Sequence, residues 1–222
     1  MTRYVLVPGA GGAAWYWSRV ASLLTQAGCQ PHPIDLPGDD ENAGLAEYVE
    51  LICAAVGNEP DTVLVAHSLG GFTAPLVAQQ TPVRAIVLVN AMIPRPGERA
   101  GDWWENTGAS KARITAAQQH HYPVEFDLQT YFLHDVPAEI AAEGEAYQRN
   151  EAAAVFDSTC AFTSWPDVPT RVLAGANDRF FPLDFQQRVA QDRLGLNTDV
   201  LPGGHLLALS QPVALSHYLQ QV

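Results

Sequence analysis

Cysteine is scarce in this chain, and so is positive charge. Cys29, Cys53 and Cys160 are the 3 cysteines of 222 residues, far apart and with no C-x-x-C pair. Such spacing offers neither a zinc site nor a disulfide framework, so free buried thiols are expected. Lysine and arginine total 12 against 24 acids, for a formal charge of −12. A field of that sign repels phosphate backbones and anionic membranes, so nucleic acid is not an expected partner. Long apolar runs are missing too; none nears the roughly 20 residues that cross a bilayer. No H-E-x-x-H or comparable metal pattern exists. A strand entered by Tyr4 leaves no room for a signal peptide. The expectation is a cytoplasmic protein, monomer or homodimer, without metal or cofactor. With 47% hydrophobic residues it has material for one globular domain over residues 1–222.

What is present is an alternation. Short runs rich in Val, Ile and Leu recur near Tyr4–Val7, His32–Leu36, Thr62–Ala66, Ala85–Asn90, Thr170–Ala174 and Thr198–Leu201. "TVLVA", "AIVLVN" and "RVLAG" are apolar on both faces, the mark of strands covered on both sides in a parallel sheet. Helical stretches fit between them at Trp15–Gln26, Gly44–Val56, Leu69–Gln80, Pro182–Arg193 and Leu209–Gln221. The fold class predicted is α/β: a mostly parallel, doubly wound, six-stranded sheet with right-handed crossovers. Residues 95–165 break the rhythm. They hold helical pieces such as Ala138–Arg149 and many aromatics, but no buried strand. An inserted helical cap is expected there.

The third strand ends in "VLVAHSLGGF". Ser68 sits between Ala66 and Gly70, with Gly71 next, a small-x-Ser-x-small turn of the G-x-S-x-G type. Small residues are needed because the chain reverses sharply from strand into helix. The helix expected from Leu69 would aim its free N–H groups at the same place. A serine nucleophile needs a base, and His205 follows the last strand in "LPGGHLLALSQP". A base needs an acid to fix its tautomer, and Asp178 follows the fifth strand in "ANDRFFP". Each lies at the carboxyl end of a strand, where open α/β sheets bind ligands. His67 is expected to pack rather than react, and His120 and His121 to be solvated.

The loop "GAGGAA", Gly9–Ala14, admits two readings. It matches a dinucleotide fingerprint, G-x-G-x-x-A, with Asp35 at a suitable distance for a ribose. It also frees a backbone N–H at Ala10 beside the serine turn, if the strand order is 2-1-3-4-5-6. Ala10 and Leu69 would then share one oxygen as an oxyanion hole. The bulky Trp15-Tyr16-Trp17 start of the next helix disfavours the close packing that a dinucleotide site requires.

"VLVPGAGGAAWYW", "DLPG", "VLVAHSLGG", "ANDRFFP" and "GGHLLALSQP" together resemble the α/β-hydrolase superfamily. The resemblance is to its branch of plant methyl esterases, (S)-hydroxynitrile lyases and related bacterial esterases. It implies Ser68 as nucleophile, His205 as base, Asp178 as acid, and Ala10 and Leu69 as backbone oxyanion donors. This chain departs from that pattern at Pro8, where the family usually has His. It also has Gly9 where the lyases carry Thr, and Leu206 where they carry Lys. Gly9 and Leu206 favour ester hydrolysis over cyanohydrin cleavage. The expected partner is a small apolar or aromatic ester, with Trp103, Trp104 and Phe132 as candidate contacts. A lyase on the same three residues, a low-turnover ligand receptor and a dinucleotide-dependent oxidoreductase are the alternatives.

Overall fold

The computed structural model describes residues 1–222. Six strands, β1 (Arg3–Val7), β2 (Gln30–Pro33), β3 (Thr62–His67), β4 (Ala85–Val89), β5 (Thr170–Gly175) and β6 (Thr198–Leu201), form one sheet. Every pairing is parallel, and the order is β2-β1-β3-β4-β5-β6. The helices preceding the fourth strand's crossover are α1 (Ser18–Gln26), α2 (Leu45–Val56) and α3 (Ala74–Gln80). Between β4 and β5 lie α4 (Trp103–Thr107), α5 (Ala109–His120), α6 (Leu128–Tyr131), α7 (Ala138–Gly144) and α8 (Ala153–Asp157). The chain ends with α9 (Leu183–Leu194), α10 (Leu207–Ser210) and α11 (Pro212–Leu219). No helix is long and apolar enough to cross a membrane.

Alternation along the strands divides the core in two. Val5, Val7, Leu64, Ala66, Ile86 and Leu88 face α2, α3 and α9. Tyr4, Leu6, Val63, Val65, Val87 and Val89 face α1 and α11. α2 shows why such a helix forms here: Leu45, Tyr48, Val49, Ile52 and Val56 line one buried stripe at helical spacing. Its first turn is closed by the Glu47 carboxylate, which accepts from the Gly44 N–H at 2.8 Å.

Several element bounds differ from the sequence reading, each for a local reason. β2 covers Gln30–Pro33 rather than 32–36; Asp35 and Leu36 instead turn back over the Gly9–Ala14 loop, where the Leu36 N–H donates to Gly12 O at 2.8 Å. Residues 14–17 and 68–72 are 3-10 turns before α1 and α3. The second is forced by crowding: a Cβ on Gly70 would stand 2.6 Å from Pro8 O, and one on Gly71 would enter the Met92 carbonyl. β4 stops at Val89 because Asn90 takes a positive φ of 44°. The last helix is split at Pro212, which has no N–H to continue α10. Cys160 is buried, whereas Cys29 and Cys53 are only half-buried; all three are free.

One ion pair anchors the start of the β4–β5 excursion. Arg193, from α9, reaches both carboxylate oxygens of Glu98, and the two side chains are 3% and 5% exposed. Glu98 also accepts from Asn106 Nδ2 and the Arg95 N–H. Burial pushes its carboxyl up, but Arg193 and these donors outweigh that and hold it below the usual carboxylate range. Removing the guanidinium strands a buried carboxylate. Arg193→Ala is therefore expected to cost about 3–5 kcal/mol, read as a lower denaturation midpoint. The pH dependence has a definite sign. With the folded pKa depressed, the pair stabilises above the unfolded value of about 4.3, and that stability is lost as pH falls through the folded value. Losing this contribution in the variant flattens the acid limb of its stability profile, and an unchanged limb counts against the pair.

Candidate active site

Three strand ends converge on one point. Ser68 follows β3 with φ 50°, a left-handed conformation that a non-glycine residue holds only where its surroundings enforce it. Gly9, Gly70 and Gly71 leave the space. A Cβ on Gly9 would lie 2.8 Å from the Ser68 Cβ and 3.0 Å from His67 Nδ1. Gly9→Ala is thus expected to displace the serine and lower kcat/KM about tenfold or more, measured on whichever ester turns over best. Wild-type kinetics in that variant would show that the loop yields freely.

His205 Nε2 lies 3.1 Å from Ser68 Oγ, and His205 Nδ1 lies 2.8 Å from Asp178 Oδ2. Asp178 is held on its other side: Oδ1 accepts from the Phe180 and Phe181 N–H groups at 2.8 and 2.9 Å. Gln186 Nε2 donates to Oδ2 at 3.2 Å. With four donors on two oxygens, the carboxylate has one orientation available. Since Nδ1 faces a carboxylate, that nitrogen carries the proton and Nε2 is free to accept from the serine. Ser68, Asp178 and His205 are all buried, at 7%, 4% and 1% exposure.

Aromatic rings close over the imidazole. Phe132 stacks on His205 at 4.9 Å and 16°, while Phe180 and Phe181 meet it edge-on, both at 5.1 Å. Phe126, half exposed, packs on Phe132 and Phe180. Trp104 touches Phe180 and Phe181. Trp103 lies deeper: it is fully buried, and its indole N–H donates to Ile93 O at 3.0 Å. It meets the site through Phe181 and Trp104 rather than directly. A surface cleft of about 1020 Å³ opens beside the Asp178 loop and is lined by His120, His134 and Arg179 among others; Ser68 is not part of its wall.

His67 packs, stacking on Tyr16 at 4.3 Å. Burial holds its pKa well below the ordinary value, so the ring is neutral. Its Nε2–H donates to His205 O at 3.0 Å.

The glycine loop is braced from several sides. Gly12 N–H donates to Gly9 O, and Ala14 N–H to Asp35 Oδ1 at 3.0 Å. Arg149 pairs with the same Asp35 at 2.7 Å. The Gly11 N–H donates to Glu151 Oε2 at 2.5 Å, and Tyr48 OH donates to Glu151 Oε1. Burial raises the Glu151 carboxyl pKa against the pull of those two donors. The Gly11, Gly12 and Ala14 amides are therefore engaged within the protein, while the Ala10 N–H meets no protein acceptor. Leu69 is the second residue of the 3-10 turn that Ser68 opens, and its side chain is buried. Glu151 and Gln186 escaped the sequence reading. Neither stands in a recognisable motif, and each partner lies far away or in a loop.

Comparison with known proteins agrees with this architecture. A family model described as "Alpha/beta hydrolase family" matches residues 4–217. Methylesterase 9 of Arabidopsis thaliana is 28% identical over 162 residues, covering 68% of this chain and 60% of that protein. Methyl jasmonate esterase 1 of Vitis vinifera is 24% identical over an alignment covering 99% of this chain and 95% of its own. Among solved structures, an extracellular alpha/beta-hydrolase from a Paenibacillus species superposes with a TM-score of 0.79 at 17% identity. That superposition covers 100% of this chain and 98% of the other.

Proposed function

The chain belongs to the alpha/beta hydrolase family, in its methylesterase-like branch, and on that premise we propose that it is a serine-dependent carboxylic ester hydrolase. The observation that carries the reading is the unbroken line of hydrogen bonds from Ser68 Oγ through His205 to Asp178, roofed by aromatic rings. In this reading His205 Nε2 takes the proton as Ser68 Oγ attacks the ester carbonyl. The Ala10 and Leu69 N–H groups hold the oxyanion. His205 then protonates the departing alcohol, and water repeats the attack on the acyl-enzyme with the same base. Asp178 remains ionised and stabilises the imidazolium.

Residues 95–165 act as the cap in this proposal. Phe132 and Trp104 supply an apolar wall that suits a small apolar or aromatic acyl or alkoxy group. Trp103 supports that wall from behind, through Phe181. Leu206 follows His205 and brings no cation, which disfavours release of a cyanide-like anion. The curated relatives carrying an esterase name are consistent with a small-molecule ester as substrate.

The test is a panel of short acyl and aryl esters, run beside a cyanohydrin and a fluorophosphonate probe. Ester turnover together with covalent labelling at Ser68 is the expected result. Aldehyde release from the cyanohydrin without ester turnover would make the protein a lyase. Stoichiometric labelling with no turnover would make it a receptor.

A further inference from the structure

Asn90 ends β4 at a positive φ of 44° and is fully buried. Its Nδ2 donates to Gly204 O at 3.1 Å and to His205 O at 2.9 Å. Its Oδ1 accepts from the Gly175 N–H at 2.7 Å and from Gln186 Nε2 at 3.3 Å. The orientation is forced, because a flipped amide would set its oxygen against two carbonyls and its NH₂ against an N–H. Gln186, 5% exposed, gives the same Nε2 to Phe181 O at 2.7 Å and to Asp178 Oδ2 at 3.2 Å. Flipping this amide would likewise face acceptor with acceptor. Two side-chain amides thus touch both segments that present the acid and the base. Gly175 opens the turn to Asp178, whose N–H returns to Gly175 O, and Gly204 leads directly into His205.

We propose that Asn90 and Gln186 are positioning residues that fix the His205 imidazole against Asp178. The proposal rests on the hydrolase reading above. Asn90 holds the backbone of the base, and Gln186 holds the carboxylate of the acid. The hydrogen bond between the two amides sets one against the other. A displacement of the imidazole by about 1 Å costs about a hundredfold in rate.

Asn90→Gly separates the amide from the backbone bend, since glycine adopts a positive φ with little strain. Its expected effect is about a hundredfold loss of kcat, with KM within about threefold. The downfield proton resonance of His205 Nδ1–H, assigned by its disappearance in His205→Ala, should broaden or shift upfield. Gln186→Met, which keeps length and apolar bulk but removes the donor, should shift the same resonance and lower kcat about tenfold. If Asn90→Gly fails to fold, Gln186→Met decides alone. Unchanged kcat and an unchanged resonance in the folded variants overturn the proposal, as does a wild type without that resonance. The resonance needs no turnover. An enzyme in which Ser68 proves dispensable would therefore sink the mechanism while the spectrum still judged the two amides.

Discussion

Ser68→Ala is expected to lower kcat by about a million-fold on a substrate that the wild type turns over well. The size follows from the surroundings of the hydroxyl. Ser68 Oγ is the group that His205 Nε2 faces at 3.1 Å, and the rings of Phe132, Phe180 and Phe181 leave the imidazole almost no exposure. With the hydroxyl gone, His205 has nothing to deprotonate except a water that the aromatic roof discourages. What survives is the contribution of the oxyanion donors and of binding, about 10³–10⁴ over the uncatalysed rate in comparable enzymes. The fold should be indifferent, because alanine leaves no buried carboxylate or backbone group unpaired. Active-site titration with a fluorophosphonate, paired with a thermal melt, distinguishes lost chemistry from lost structure. A loss of less than about tenfold in a folded variant would remove Ser68 from the mechanism.

Asp178→Asn should cost about 10⁴ in kcat, although the two side chains are nearly the same size. The reason lies in the donors already fixed around the carboxylate. The Phe180 and Phe181 N–H groups point at Oδ1 and belong to the backbone, so the one remaining oxygen of an asparagine must stay there. Its NH₂ then faces His205 Nδ1 and Gln186 Nε2, both of which donate at present. His205 can resolve the conflict only by moving its proton to Nε2, which leaves no lone pair for Ser68. The expected signature is a fallen kcat with KM little altered, measured from pH 6 to 9 so that a shifted optimum is not mistaken for a loss. Activity within about tenfold of wild type would mean that the asparagine has turned over and the two backbone N–H groups have yielded.

The sheet was legible because its inner strands are continuous runs of Val, Ile and Leu, which only a doubly covered parallel sheet can bury. The order 2-1-3-4-5-6 entered as the condition that makes the serine turn and the glycine loop neighbours; the sheet has that order, and its register pairs Val7 with Ala66. Ser68, Asp178 and His205 announced themselves by residue type at strand ends. Asn90 did not, since its partners are mostly backbone groups, the farthest 115 residues on at His205, and a strand-end asparagine looks like any other turn residue. Glu151 was hidden for the same reason, 140 residues from the amide it holds. Trp103 shows a different limit. Composition marks an aromatic-rich segment, but whether an indole faces a cavity or the core depends on which carbonyl receives its N–H. For Trp103 that carbonyl is Ile93, ten residues back. The 3-10 turns at 14–17 and 68–72 escaped because helical spacing over four or five residues is nearly the same for both helix types.

The stretch from Glu143 to Glu151 is strapped to the glycine loop and the helix beyond it. Glu143 holds Trp15 and Arg19, Tyr147 stacks on Trp15, and Glu151 holds the Gly11 amide. The main chain around Ala10 is thereby tethered to a segment more than a hundred positions away, so its shape depends on the β4–β5 excursion being folded in place.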